Sequence, residues 1–207
     1  MSLREKKKAK KKAEILQSAL TILAEKGYHG TTMEDIASHL LMTKGALYYY
    51  FKDKQELVYE SQVKLLNKSI ENVQNICKTD QLPIEKLRKM IKLHIDYLIR
   101  NKSSFELMAK PHEIFSPDQL IQIFRLREAY ARVYDELLRE GSKAGAFSLP
   151  NNEIKIVRNL LLGAMNWVTQ WHDAAGEKNI SEFVESVTNY LLRLVQGCGL
   201  NDEDKEI

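Results

Sequence analysis

Three features of the 207-residue chain predict an all-α protein. Glycine and proline are scarce, at nine and four residues, which favours long helices with few turns. Apolar residues recur at three- and four-residue spacing from Ala13 to Gln196. No stretch alternates apolar and polar residues as a half-buried strand would. The expected architecture is an amino-terminal three-helix unit containing a helix-turn-helix, then a longer helical body, with about nine helices in all.

Residues 1–12 hold seven basic side chains against Glu5, a net charge of +6, and read as a flexible basic arm. Residues 13–60 carry −3 and the remainder is neutral. Such an arm suits phosphate backbones, with a solvated tail as the plain alternative. A first helix starts at Ala13, carries Ile15, Leu16, Ala19, Ile22 and Leu23, and stops at Gly27. Thr31 with Glu34, or more weakly Thr32 with Asp35, has capping-box spacing for a second helix that buries Met33, Ile36, Ala37 and Leu40. A turn through Leu41 and Met42 leads to a short helix, Lys44–Tyr50, capped by Thr43. Asp53 caps a long helix from Lys54 to about Cys77.

Pro83 opens the next helix, where its missing N–H costs nothing, and that helix runs to about Asn101. A short segment covers Ser104–Lys110, and Pro111 and Pro117 punctuate a connection. Helices follow from Pro117 to about Glu140, from a cap at Asn151 or Asn152 to about Asp173, and from Ser181 to about Gln196. Gly176 separates the last two, and Gly197 and Gly199 end the last. The domain reading is 1–12 arm, 13–53 helix-turn-helix domain, 54–200 ligand-binding and dimerisation domain, and 201–207 disordered acidic tail.

Composition removes several classes of function. At 44% hydrophobic and 29% charged residues the chain is a folded protein, not a disordered one. No apolar run approaches the roughly 18 residues of a membrane span, and no apolar stretch follows the basic start as in a secretory signal. Cys77 and Cys198 lack metal-ligand spacing and read as free thiols in a reducing cytosol. The five histidines form no metal-binding pattern, and no phosphate-cradling glycine loop or nucleophile elbow is present. The expectation is no metal, no cofactor and no enzyme.

The stretch TTMEDIASHLLMTKGALYYYFKDK, residues 31–54, describes two short helices joined by a tight turn. The second is too short to build a core alone. Ala46, Leu47 and Phe51 can pack inward, which leaves Lys44, Gly45, Tyr48 and Tyr49 facing out. Tyrosine hydroxyls and Lys reach phosphates or base edges, and Gly45 lets a backbone approach DNA closely.

These residues, with Gly27-Tyr28 before them and Lys54-x-x-Leu57 after, resemble the TetR family of bacterial transcriptional regulators over about 45 residues. The resemblance implies that Thr32 caps the second helix and donates to a phosphate. It places Thr43, Lys44 and Gly45 at the major groove, Tyr48 and Tyr49 on phosphate or thymine methyl groups, Tyr50 on phosphate, and Lys54 on the backbone. The family has glycine in the turn where this chain has Leu41. A non-glycine residue forced into the left-handed region costs about 1–2 kcal/mol, so either the turn differs or the strain is absorbed.

In the body, the last two long helices are apolar on most faces and need burial on a second side. They are expected to pair with their copies as a two-fold four-helix bundle, through Leu161, Val168, Val187, Leu191 and Leu194. A thick monomer core is the alternative. Tyr97, Phe105, Met108, Phe124, Tyr134, Met165, Trp167 and Trp171 are the candidate lining of an apolar pocket, although each singly fits an ordinary core. The stretch Gly163–His172 resembles the fatty-acyl and acyl-CoA-responsive members of the family. The implied protein is a cytoplasmic bacterial repressor. It binds a near-palindromic operator in double-stranded DNA as a homodimer, is released by a small apolar effector, and has no membrane partner. A helical carrier with a vestigial DNA reader is the competing reading.

Overall fold

The computed structural model describes residues 2–100, 110–172 and 179–196, without the side chains of Ala24 and Trp171. Phe105, Met108, Cys198, the glycines at 176, 197 and 199, the tail 201–207 and the Trp171 side chain lie outside the described residues. The described residues form eight α-helices: α1 (Leu3–Gly30), α2 (Met33–His39), α3 (Lys44–Tyr48), α4 (Lys54–Cys77), α5 (Pro83–Arg100), α6 (Pro117–Lys143), α7 (Ile154–Trp171) and α8 (Ile180–Gln196). A 3-10 turn, Pro111–Glu113, precedes α6.

The chain divides into two compact units, one of residues 1–68 and 101–127, the other of 69–100 and 128–207. The expected boundary after residue 53 falls inside the first unit, because residues 54–68 and 110–127 pack with it.

In the first unit, α1 contributes Ile15, Ala19, Ile22 and Leu23 to a core shared with Ile36, Leu47, Phe51, Leu57 and Val58. Burying one such leucine stabilises by roughly 1.5–3 kcal/mol. The five-residue α3 is therefore held by Leu47 and Phe51, not by its own backbone. The helix runs only to Tyr48, two residues short of the expected end. Gly27 adopts φ 70°, a left-handed conformation that kinks α1 where a stop was expected. Thr32 caps α2 in a reciprocal box with Asp35, so the weaker sequence signal prevails. Thr31 is buried and its hydroxyl donates to the Gly27 carbonyl at 2.7 Å, which removes it from capping.

The arm is the clearest departure. Residues 3–12 are not a flexible tail but the first turns of α1, with Ser2 and Glu5 forming a capping box.

In the second unit, α5 packs against α7 and α8. Its core joins Leu87, Met90, Ile91 and Ile95 to Tyr134, Leu138, Leu161, Met165, Val168, Leu192 and Val195. Glu153, not Asn151 or Asn152, stands at the start of α7. The α6 helix runs three residues past Glu140 to Lys143, and within it Gly141 receives the Phe147 ring on its Cβ-less face. Among the described residues, no helix is long and apolar enough to cross a membrane.

Candidate nucleic-acid interface

The helix-turn-helix is built by α2, α3 and the turn between them. The α2 helix closes on Leu40, and the next two N–H groups turn back to its last carbonyls. Leu41 donates to Ser38 at 3.1 Å and Met42 to Ala37 at 2.9 Å. This is the Schellman pattern, whose left-handed position is usually glycine. Leu41 occupies it at φ 52° with its side chain 96% exposed. The strain anticipated at this position is present in the backbone.

Thr43 caps α3 by accepting from the Ala46 N–H at 3.2 Å. Gly45 has open space around it, Tyr48 is exposed, and Tyr49 is 60% exposed. Lys44 is exposed and forms an ion pair with Glu34 on α2. That pairing lowers the Glu34 carboxyl and raises the Lys44 amine, the Glu34–Lys44 hydrogen bond being the main cause of each shift. Thr32 is exposed, but its hydroxyl donates to Asp35 at 2.5 Å while accepting the Asp35 N–H. Lys26 also pairs with Asp35 at 2.6 Å, and these bonds hold the Asp35 carboxyl far below the usual range.

Two expected DNA contacts have internal partners. Tyr50 is half-buried against the core and edge-on to Tyr49, with ring centroids 5.1 Å apart. The Lys54 ammonium donates to the carbonyls of Tyr28 at 2.6 Å and Thr31 at 2.7 Å, and lies 4.2 Å from the centre of the Tyr28 ring. Burial depresses its pKa. Lys54 thus clamps the start of α4 to the end of α1 and keeps one N–H for anything else.

Two cations of the basic arm, Lys8 and Lys12, have partners that sequence reasoning missed. Lys8 stands 4.7 Å over the ring of Tyr49, and Lys12 stands 5.0 Å over Phe51 and pairs with Glu60 at 2.7 Å. A spacing rule cannot find pairs 41 or 48 residues apart in the sequence.

Of the expected pocket residues, Tyr134 and Met165 are fully buried and Tyr97 is half-buried, all in the second unit, whereas Phe124 belongs to the first. Trp167 is 66% exposed on α7. A polar chain crosses the second core instead. His94 Nδ1 is 2.9 Å from the Tyr130 hydroxyl, and its Nε2 is 3.1 Å from Asn166 Oδ1. Tyr130 in turn meets Tyr134 at 3.3 Å. A neutral ring satisfies both ends, with Nε2–H donating to Asn166 and Nδ1 accepting from Tyr130. Burial pulls the His94 pKa down to about 4, against a smaller upward pull from Asn166. Burial also pushes Tyr130 up to about 12. The signal was readable: His94 sits in the apolar α5 stripe of Leu87, Ile91 and Leu98. An open cleft of about 850 Å³ lies between α5 and the start of α8. Leu93, Ile99 and Val184 line it beside Lys89, Lys92 and Glu185.

The expected dimer residues differ in exposure. Leu161 and Val168 are fully buried and Leu191 is 7% exposed, all three within the chain's own core. Val187 is half-buried, and Leu194 is exposed. The uncovered apolar stripe is Ile156, Leu160 and Trp167 on α7, one helical turn or two apart, with Tyr190 and Leu194 on α8.

Comparison with known proteins agrees with both halves. Residues 15–60 match the model of "Bacterial regulatory proteins, tetR family", and residues 80–195 match "Tetracyclin repressor-like, C-terminal domain". The chain is 25% identical over 199 residues to the transcriptional repressor KstR2 of Mycolicibacterium smegmatis, covering 95% of each chain. It is 25% identical over 177 residues to the fatty acid metabolism regulator protein of Bacillus subtilis, covering 80% of this chain and 86% of that one. The crystal structure of FadR from Bacillus subtilis with stearoyl-CoA shares the fold, with a TM-score of 0.71 at 22% identity over 88% of this chain and 98% of that one.

Proposed function

The chain belongs to the tetR family of bacterial transcriptional regulators, and from that premise we propose that it represses transcription as a cytoplasmic homodimer on a near-palindromic operator and is released by a fatty acid or acyl-CoA. The observation that carries the reading is α3. It is a five-residue helix whose inner side is locked by Leu47 and Phe51 and whose outer side presents Lys44, Gly45, Tyr48 and Tyr49. Thr43, at its cap, joins that outer side. Thr32, Tyr50 and Lys54 act mainly by holding this surface, since each has an internal hydrogen bond or packing partner.

The dimer face is the exposed stripe of α7 and α8, centred on Leu160 and Trp167. A two-fold pairing there gives each subunit the second burial its apolar helices require and sets two α3 helices on successive turns of DNA, about 34–36 Å apart. The effector contacts narrow to Tyr97, Tyr134 and Met165, joined by His94, Tyr130 and Asn166, which supply polar anchors inside an apolar bundle. Two similar proteins, a fatty acid metabolism regulator and a FadR crystallised with stearoyl-CoA, favour an acyl ligand. To move operator occupancy from 99:1 to 1:99, the effector must favour the released state by about 5.5 kcal/mol.

The test is fluorescence anisotropy on a duplex that the wild-type chain selects from a random library. Lys44→Ala is expected to weaken binding by about 1–3 kcal/mol if Lys44 reads a base. Stearoyl-CoA is expected to displace the wild type. Unchanged affinity in Lys44→Ala defeats the recognition-helix assignment, and a complex indifferent to acyl-CoA and to free fatty acids defeats the effector class.

A further inference from the structure

We propose that the amino-terminal turns of α1 form a pre-ordered lysine-rich outrigger that grips DNA phosphates beside the groove receiving α3. This rests on the reading of α3 as the recognition helix and adds a second contact surface to it.

The extension is continuous with the folded unit. The α1 helix runs without a break from Leu3 into the core residues Ile15 and Leu16. Its amino end is closed by Ser2, whose hydroxyl accepts from the Glu5 N–H at 3.2 Å while its own N–H donates to the Glu5 carboxylate at 2.6 Å. Its root is fixed by Lys12, which pairs with Glu60 of α4 at 2.7 Å and stacks on Phe51. One turn further out, Lys8 stacks on Tyr49, the exposed aromatic that follows α3. At 1.5 Å per residue, Leu3 stands roughly 13 Å beyond Lys12 along the helix. The cationic helix is thus anchored at the edge of the reading surface by a residue of that surface.

Its charge identifies the partner. Among the described residues, Arg4, Lys6, Lys7 and Lys10 meet no acid. Lys6 with Lys10, and Lys7 with Lys11, are neighbours four apart on the helix, their Cβ atoms about 5–6 Å from one another, so their like charges repel. A closely spaced row of anions relieves that repulsion, and a DNA strand carries one every 3.4 Å or so of its axis. A lipid surface fits poorly, because between Ser2 and Ala13 only Leu3 is a large apolar residue.

Three chains are compared by anisotropy between 50 and 200 mM salt on the selected duplex and on a random 40-base-pair duplex. They are the wild type, a quadruple variant (R4A, K6A, K7A and K10A), and Ala9→Pro. The quadruple variant removes four charges from exposed positions and leaves the core untouched. It is expected to bind both duplexes about tenfold or more weakly, with a salt slope shallower by about 0.9 for each cation that met a phosphate. Ala9→Pro keeps every charge but breaks the helix between Glu5 and Ala9. It is expected to lose at least about threefold, with lower helicity by circular dichroism. Wild-type affinity and slope in the quadruple variant overturn the surface. Wild-type affinity in Ala9→Pro, with the expected loss in the quadruple variant, overturns the pre-ordered helix, leaving only a charged tether. Failure of the recognition-helix reading is separable: it shows as a wild type that prefers no sequence, while the salt slopes on the random duplex still report on the extension.

Discussion

Replacing Leu41 by glycine is expected to stabilise the protein. The position is the left-handed residue of the turn between α2 and α3, at φ 52°, and its two flanking hydrogen bonds return to α2 at 3.1 and 2.9 Å. For an L-residue with a Cβ this conformation costs about 1–2 kcal/mol. The Leu41 side chain recovers almost none of that by burial, because 96% of it faces solvent. Glycine removes the strain but adds about 0.5–1 kcal/mol of unfolded-state freedom. The net gain therefore lies between about 0 and 1.5 kcal/mol, centred on about 0.75, or roughly 2–3 °C in Tm for a chain of this size. Leu41→Ala is the control, since it deletes the exposed side chain but keeps the Cβ, and it should stay within about 0.5 kcal/mol of the wild type. Urea unfolding of both variants beside the wild type decides the matter. If alanine stabilises as much as glycine, solvent exposure and not φ is at issue. If glycine destabilises, the left-handed turn is not strained and the reasoning fails. DNA affinity should be unchanged in Leu41→Gly, because the backbone hydrogen bonds that aim α3 are kept.

Three further outcomes are expected. The His94 pKa is about 4 in the folded chain, below the 6.5 of an unfolded one. The unfolded state therefore takes up a proton first, so stability is full above about pH 6.5 and falls as pH drops toward 4, by an amount of order 3 kcal/mol. Denaturation at pH 7 and pH 5 should show this loss, and a His94→Gln variant with the same pH dependence would assign it elsewhere. Gly141→Ala should destabilise by about 1–3 kcal/mol or more, because a Cβ there meets the Phe147 ring at 2.1 Å. Phe147→Leu should recover part of the loss in thermal melts, and an unaltered Tm in Gly141→Ala would refute the contact. Glu34→Gln frees Lys44 and removes a negative charge from the DNA-facing surface. Affinity for duplex DNA should rise about threefold to tenfold at low salt and converge on the wild type at high salt, where such charges are screened. A weaker complex would mean that Glu34 itself contacts a base.

The helix-turn-helix was legible because its signals are local. Capping threonines, a short apolar triplet and a tight turn lie within 24 residues, and local hydrogen bonds decide them. The choice between Thr31 and Thr32 was only partly local. The bond from Thr31 to Gly27 spans four residues, but the burial of Thr31 depends on the packed unit. The basic arm misled for a similar reason. A row of lysines reads as self-repelling coil, and its helix is secured by Glu60 and Tyr49, far away in sequence.

The sequence by itself determined the all-α class, the order of the described helices though not all their ends, the DNA-reading motif and the surplus of apolar surface on the last two long helices. These follow from periodicity and capping, which act over one or two turns. Only the tertiary structure decided which side of those helices is spare, turning Leu161, Val168 and Leu191 inward and Ile156, Leu160 and Trp167 outward. It alone joined His94, Tyr130 and Asn166 from three helices and committed Lys54 to the carbonyls of α1 and its cap. A helix that is apolar all round carries no mark of which face meets its neighbours. A polar side chain finds its partner only when the packing of other helices has fixed the distance.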